Sequence, residues 1–165
     1  MTADPAEEAR PRTAIRLRKM LDSDIAAPRW PAGFVMRTMR EEDARAVHDL
    51  FATVFDDGTD GPFEEWWPRI SGDAEFDPEL VLLVHDASGR LVGVALAWKR
   101  AFLKDLAVHP DARRLGIGEA LLTHVFSVFA AHGAAHLDLK TEPADSPDAL
   151  RLYRRHGMVE VDWEG

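Results

Sequence analysis

The apolar residues change period several times along the chain, and each change predicts an element. Phe34 to Arg40 reads as a first strand. The acids Glu41, Glu42 and Asp43 follow, suited to the first turn of a helix, where the backbone dipole is positive. Val47, Leu50, Phe51 and Val54 then recur at helical spacing, so this helix has one apolar face. Past a loop rich in Asp and Gly, Asp56 to Gly61, the segment Phe63 to Ile70 predicts a second short helix carrying Trp66 and Trp67. Leu80 to Asp86 is nearly continuous in apolar residues, as in a strand covered on both faces. Ser88-Gly89 turns the chain into a second strand, Leu91 to Trp98, and the two form a hairpin. Phe102 to Val108 is the next strand, stopped by Pro110, which has no N–H to give a ladder.

A long helix begins near Gly116. Leu121, Leu122, Val125, Val128 and Phe129 are its buried stripe, and Gly133 suits its C-terminal cap. Ala135, Leu137 and Leu139 alternate with polar residues through the strand His136 to Lys140. Ser146 and Pro147 open a last helix, the hydroxyl as cap and the proline at the first helical position. That helix runs to His156, stops at Gly157, and leads into a final strand, Met158 to Trp163. The order is β-α-(α)-β-β-β-α-β-α-β, a mixed α/β domain over residues 33–165. Residues 1–32, with Pro5, Pro11, Pro28 and Pro31, read as an arm, partly flexible at its tip. Within it Arg12 to Leu21 reads as a short strand or a turn of helix.

Composition narrows the function. The 165 residues are 46% hydrophobic and 30% charged, as in one ordinary domain. No run of 18 apolar residues occurs and the first 18 residues have no apolar core, so neither a membrane span nor a secretory leader is expected, and the cytoplasm is the expected location. Cysteine is absent, which excludes a disulfide, a thiolate metal site and a catalytic thiol. The histidines show no paired metal-ligand spacing, and no metal is expected. Against 20 basic residues stand 29 acidic ones, a net charge of −9. That balance disfavours nucleic acid as a partner and is compatible with a cationic acceptor.

The chemistry concentrates where a strand ends and a helix opens. Helix N-termini carry free N–H groups and a partial positive charge. Glycine at positions 116 and 118 leaves those groups open to an anion, and Arg113 and Arg114 add donors for phosphate oxygens. This is a pyrophosphate cradle. The Gly-Lys-Ser/Thr of a Walker loop is missing, and so is the third glycine of a dinucleotide fingerprint.

The cradle, Arg113-Arg114-Leu115-Gly116-Ile117-Gly118, resembles the (Gln/Arg)-x-x-Gly-x-(Gly/Ala) motif of GNAT acetyltransferases. Leu106-Ala107-Val108-His109-Pro110 resembles the Leu-x-Val-x-Pro strand that precedes that motif. Ala149 to Gly157, with Leu152-Tyr153, resembles the family's Ala-x-x-Leu-Tyr-x-x-x-Gly helix. The resemblance implies the GNAT fold, a mostly antiparallel mixed sheet of six to seven strands flanked by helices. It implies acetyl-coenzyme A as cosubstrate and direct transfer of an acetyl group to a primary amine. By the same likeness Leu106, Ala107 and Val108 pair with the pantetheine through their backbone. Arg113, Arg114, Leu115, Gly116, Ile117, Gly118 and Glu119 hold the pyrophosphate, and Ser146 stands where many members place a cofactor-contacting Asn. Tyr153 is then the candidate acid for the leaving thiolate and Asp105 the candidate base.

Other candidates have ordinary alternatives. Glu64 and Glu65 read as solvated charge as readily as bases, and His109 as a turn residue. Trp66, Trp67 and Phe63 line a substrate pocket or pack on the sheet, and Trp98 is core or a contact between two copies. The seventh strand usual in the family is missing from the order above, so the Arg12 to Leu21 segment, or a second subunit in a homodimer, is expected to fill that edge. Arg29-Trp30-Pro31 is similar to the joining segment of two-domain members. The acceptor is expected to be a small molecule or peptide amine. A non-catalytic acyl-CoA-binding or assembly domain on the same fold is the alternative.

Overall fold

The computed structural model describes residues 14–22, 25–55, 58–144 and 147–162. The tip of the arm, Ser146, Asp56 and Trp163 lie outside the described residues. The strands are β1 (Ile15–Met20), β2 (Val35–Thr38), β3 (Val81–His85), β4 (Leu91–Trp98), β5 (Phe102–Val108), β6 (His136–Thr141) and β7 (Val159–Val161). The helices are α1 (Ala44–Val54), α2 (Phe63–Ser71), α3 (Ile117–Ala131) and α4 (Pro147–Arg155). The strands form one seven-stranded sheet in the order β2-β3-β4-β5-β6-β1-β7. Only β5 and β6 pair in parallel; the other neighbours are antiparallel. This is the mixed α/β architecture expected.

Alternation along the strands splits the core in two. Val81 and Leu83 of β3 and Val94 and Leu96 of β4 face α1 and α2, where Val47, Phe51, Trp66 and Ile70 cover them. Leu82 and Val84 face the other way, onto α3 and its Leu121, Leu122, Val125 and Phe126. Both faces of β3 are therefore dry from Val81 to Val84, which is why that stretch is a continuous apolar run. Gly93 in β4 lets α3 sit close. A Cβ there would lie 2.9 Å from Ile117 Cγ2 and 3.2 Å from Leu121 Cδ1, so any larger residue would push the start of α3 off the sheet.

The acids Glu41 to Asp43 form a 3-10 turn just before α1 rather than its first turn. Asp43 takes two hydrogen bonds from Arg37, at 2.7 and 2.8 Å, and one from the Arg40 backbone N–H. Those bonds fix the angle at which β2 enters α1.

The arm corrects one expectation. Ile15–Met20 is a strand, but it does not fill an edge. It is inserted between β6 and β7, antiparallel to both. Leu17, fully buried, is its contribution to the core. On the opposite face its Arg16 and Arg18 converge on Asp138 of β6. Arg16 Nε donates to Oδ2 at 2.8 Å; Arg18 donates to both oxygens, at 2.8 and 3.0 Å. Asp138 is 1% exposed. Burial alone would push its carboxyl up, but the Arg18 and Arg16 bonds and charges outweigh that and hold it below the ordinary range. Among the described residues, no helix is long and apolar enough to cross a membrane.

Removing Asp138 strands two partly buried guanidinium groups and unlocks β1 from β6. Asp138→Ala should cost about 3 kcal/mol at pH 7, as breaking a buried pair does, read as a fall in the urea midpoint. The cost should shrink as pH drops toward the depressed pKa, where the native carboxylate itself protonates. A midpoint unchanged at pH 7 would mean the clamp is not what holds β1.

Candidate active site

β5 and β6 share only two residue pairs, Phe102 with Asp138 and Leu103 with Leu139. Past these the pairing ends, although β5 continues to Val108 on its β4 side. The backbone of Lys104 to Val108 is thus left with one edge unpaired by any described strand. An extended chain can bind such an edge as a further strand.

From β5 the chain passes through a 3-10 turn, Pro110–Ala112, into the loop that opens α3. His109 caps that turn, its Nδ1 accepting the Asp111 N–H at 3.0 Å, so it is a turn residue. Arg113 Nε donates to the Val108 carbonyl at 3.2 Å and fastens the loop to the strand end. Arg114 and Gly116 both take left-handed backbone, φ +65 and +89. For arginine this conformation costs of order 1 kcal/mol. Only glycine adopts it freely at 116, and a Cβ there would meet nothing, so conformation and not space selects the residue.

The two left-handed residues leave a row of backbone donors. Among the described residues, the N–H groups of Arg114 to Glu119 have no acceptor, and no side chain caps the helix. Free amides at a helix start, flanked by exposed Arg113 and Arg114, are chemically suited to an anion. The side chains expected there divide. Ile117 is fully buried and offers only its amide; Leu115 is half exposed. Gly118 stands between the end of β5 and α4: a Cβ would come 3.6 Å from Val108 Cγ2 and 3.7 Å from Leu152 Cδ2 of α4. Glu119 turns its carboxylate away to His156 at 2.8 Å and so ties α4 to the first turn of α3.

Tyr153 sits on α4 in the core on the α3 side, 8% exposed. Burial, reinforced by the charge of Asp105, pushes its phenol up to about 12. It is a neutral donor throughout the physiological range. Asp105 is itself held above the ordinary carboxylate range, chiefly by burial; Lys104 opposes that shift and Asp60 adds to it. The structure thus brings Tyr153 and Asp105 within electrostatic reach of each other, beside the unpaired edge. The remaining candidates fall elsewhere. Glu64 is exposed, Trp66 is fully buried under α1, and Trp98 is a core residue.

Lys104 and Asp60 carry no mark in the sequence. Lys104 Nζ donates to Asp105 Oδ2 at 2.8 Å. Asp60 belongs to the loop between α1 and α2, which is pinned where Arg69 donates to its carbonyl at 3.1 Å and His48 bonds the Gly61 carbonyl at 2.8 Å. Adjacent Lys and Asp in a strand point to opposite faces in a regular ladder, so spacing alone does not join this pair.

A sequence model of the acetyltransferase (GNAT) family matches residues 35–158. The chain belongs to this family. The match begins at β2, so β1 lies outside it. The chain is 43% identical over 135 residues to mycothiol acetyltransferase of Clavibacter michiganensis, covering 76% of this chain and 42% of that protein. It is 32% identical over 165 residues to mycothiol acetyltransferase of Clavibacter sepedonicus, covering 93% and 53%. A GCN5-related N-acetyltransferase from Sphaerobacter thermophilus superposes with a TM-score of 0.79 at 32% identity, over 90% of this chain and 48% of that one. The chain spans about half the length of the curated relatives it matches.

Tyr153 is the chain's one tyrosine, so its ionisation can be followed by tyrosinate absorbance at about 295 nm. The midpoint should lie near 12, and Asp105→Asn should bring it down by removing a like charge. A wild-type midpoint near 10 would mean that the phenol is open to water.

Proposed function

We propose that this chain transfers an acetyl group from acetyl-coenzyme A to the primary amine of a small-molecule acceptor, in a ternary complex. Family membership supports the reaction class. The observation that carries the reading is the row of six unpaired amides from Arg114 to Glu119, set beside the unpaired edge of β5. The residues fit the cosubstrate. The amides and the two arginines would hold the pyrophosphate, the Leu106 to Val108 backbone would take the pantetheine, and the thioester supplies the activated acetyl group.

The chain's own residues then manage protons. An alkyl amine has a pKa near about 10 and arrives as an ammonium ion that cannot attack. Asp105, whose carboxyl is raised by burial, takes that proton, directly or through water. Tyr153, raised to about 12, stays protonated and gives a proton to the departing thiolate, and the second proton that the attacking nitrogen sheds restores the phenol. Relatives named for mycothiol support a small-molecule acceptor, and the net charge of −9 favours a cationic one. The cytoplasm, where acetyl-coenzyme A is made and used, is the proposed location. We place the catalytic domain at 33–165, with the strand of the arm completing its sheet.

The test separates binding from chemistry. Acetyl-coenzyme A should bind the wild type by calorimetry and support thiol release with some member of an amine panel. Gly118→Glu should abolish binding, since it fills the gap toward Val108 and Leu152 and adds like charge, while Tyr153→Phe should keep affinity and lose about 10- to 1000-fold in turnover. Unchanged affinity in Gly118→Glu would put the phosphates elsewhere. An unchanged rate in Tyr153→Phe would remove the phenol from the mechanism.

A further inference from the structure

Strand β5 carries a bulge. Leu96 of β4 pairs with Asp105 and the next residue, Ala97, pairs with Leu103, so Lys104 is extra. Core membership shows the consequence. Leu103 and Leu106, three residues apart, both pack on the α3 side, while Phe102 and Ala107 both pack on the α1 side. An unbroken strand would put residues three apart on opposite faces. The phase therefore flips at 104 and 105, and both of these side chains lie on the α1 and α2 face. Bulges re-aim side chains in this way. The ammonium of Lys104 reaches its neighbour's carboxylate at 2.8 Å, with 28% and 18% of the two side chains exposed.

We propose that Lys104 is a positioning residue for the reaction: the bulge turns it onto Asp105, and this tethered cation fixes the carboxylate and favours its charged form, against burial, for receipt of the acceptor's proton. The inference rests on the assignment of Asp105 as base. The bulge then has a physical purpose. A carboxylate placed in a largely dry strand would hold its proton and be useless as a base near neutral pH. A cation fixed by covalent neighbourhood opposes that in part without occupying the space in which the acceptor must stand.

Among the described residues, the charges that act on Asp105 are Lys104 and Asp60. Leu96 and Val94 of β4, and Val47, Leu50 and Phe51 of α1, are apolar. Ile117 and Leu121 of α3 on the other face are apolar as well. Asp60, half-buried on the α1–α2 loop, opposes Lys104. Tyr153 on α4 is neutral below about 12. On β6, Lys140 lies over the Phe102 ring, 5.8 Å from its centroid. Lys104 is the group that bonds the carboxylate.

Two measurements on the full chain test this. The first is a carbon-13 NMR titration of the Asp105 carboxyl. The second is the acid limb of kcat/KM, with one amine used throughout so that its own ionisation is common to every variant. Lys104→Met should move both midpoints up by about one pH unit, so that kcat/KM falls roughly 10-fold on the acid side and far less on the alkaline side. Asp60→Asn should move both down, and Lys104→Arg should restore the wild-type positions. A purely structural role would lower the rate at every pH and leave the midpoints in place. An Asp105 midpoint unmoved in Lys104→Met overturns the inference alone. A moved NMR midpoint with an unmoved rate profile overturns the assignment of Asp105 as base, and the role of Lys104 with it.

Discussion

Two parallel strands share hydrogen bonds only while their backbones stay about 4.8 Å apart, and β5 and β6 do so for two residue pairs. Where they part, a length of β5 backbone is left with donors and acceptors that no described strand takes up, in the middle of a sheet where such groups are costly to leave unmade. The site is built around that gap. Asp105 lies on that length of strand with Tyr153 in electrostatic reach of it, and Gly118 at the start of α3 stands against Val108 at the strand's end.

On its other side β6 is fully engaged. β6 pairs with β1 along all six residues, and the Asp138 carboxylate on β6 is gripped by Arg16 and Arg18 from β1. A strand committed that fully on one side need not follow the twist of the strand on its other side. The N-terminal arm is thus an integral strand of the sheet and anchors β6, although it lies far in sequence from the residues proposed for catalysis. Its alternation, with Ile15 and Leu17 facing the α3 core and Arg16 and Arg18 facing Asp138, matches a strand buried on one side and ion-paired on the other.

Much of this is legible in the chain. The spacing of Val47, Leu50 and Phe51 marks α1, and the nearly continuous apolar run from Leu80 to Asp86 marks β3. The cradle is legible because glycine at 116 stands next to two arginines and ahead of an apolar helical stripe. That combination joins a need for left-handed backbone to a place for negative charge. Three features leave no such trace. The place of β1 inside the sheet depends on pairing between residues more than a hundred positions apart, and alternation alone cannot say which neighbours a strand takes. The bulge at Lys104 is a change of phase in a strand whose residues, Phe102 to Val108, are mostly apolar on both faces, so the flip leaves no mark in the pattern. The engagement of Glu119 with His156 requires α4 to return against α3, which spacing does not reveal.

The rest turns on the proposal that the unpaired amides of Arg114 to Glu119 receive the phosphates of coenzyme A. The most direct measurement follows the backbone amides of the nitrogen-15-labelled chain by NMR during titration with coenzyme A. The largest shifts are predicted at Arg114 through Glu119, followed by Leu106 to Val108, with the strands β1 and β7 little affected. Shifts concentrated on another face of the molecule, with those six amides unmoved at saturation, would contradict it.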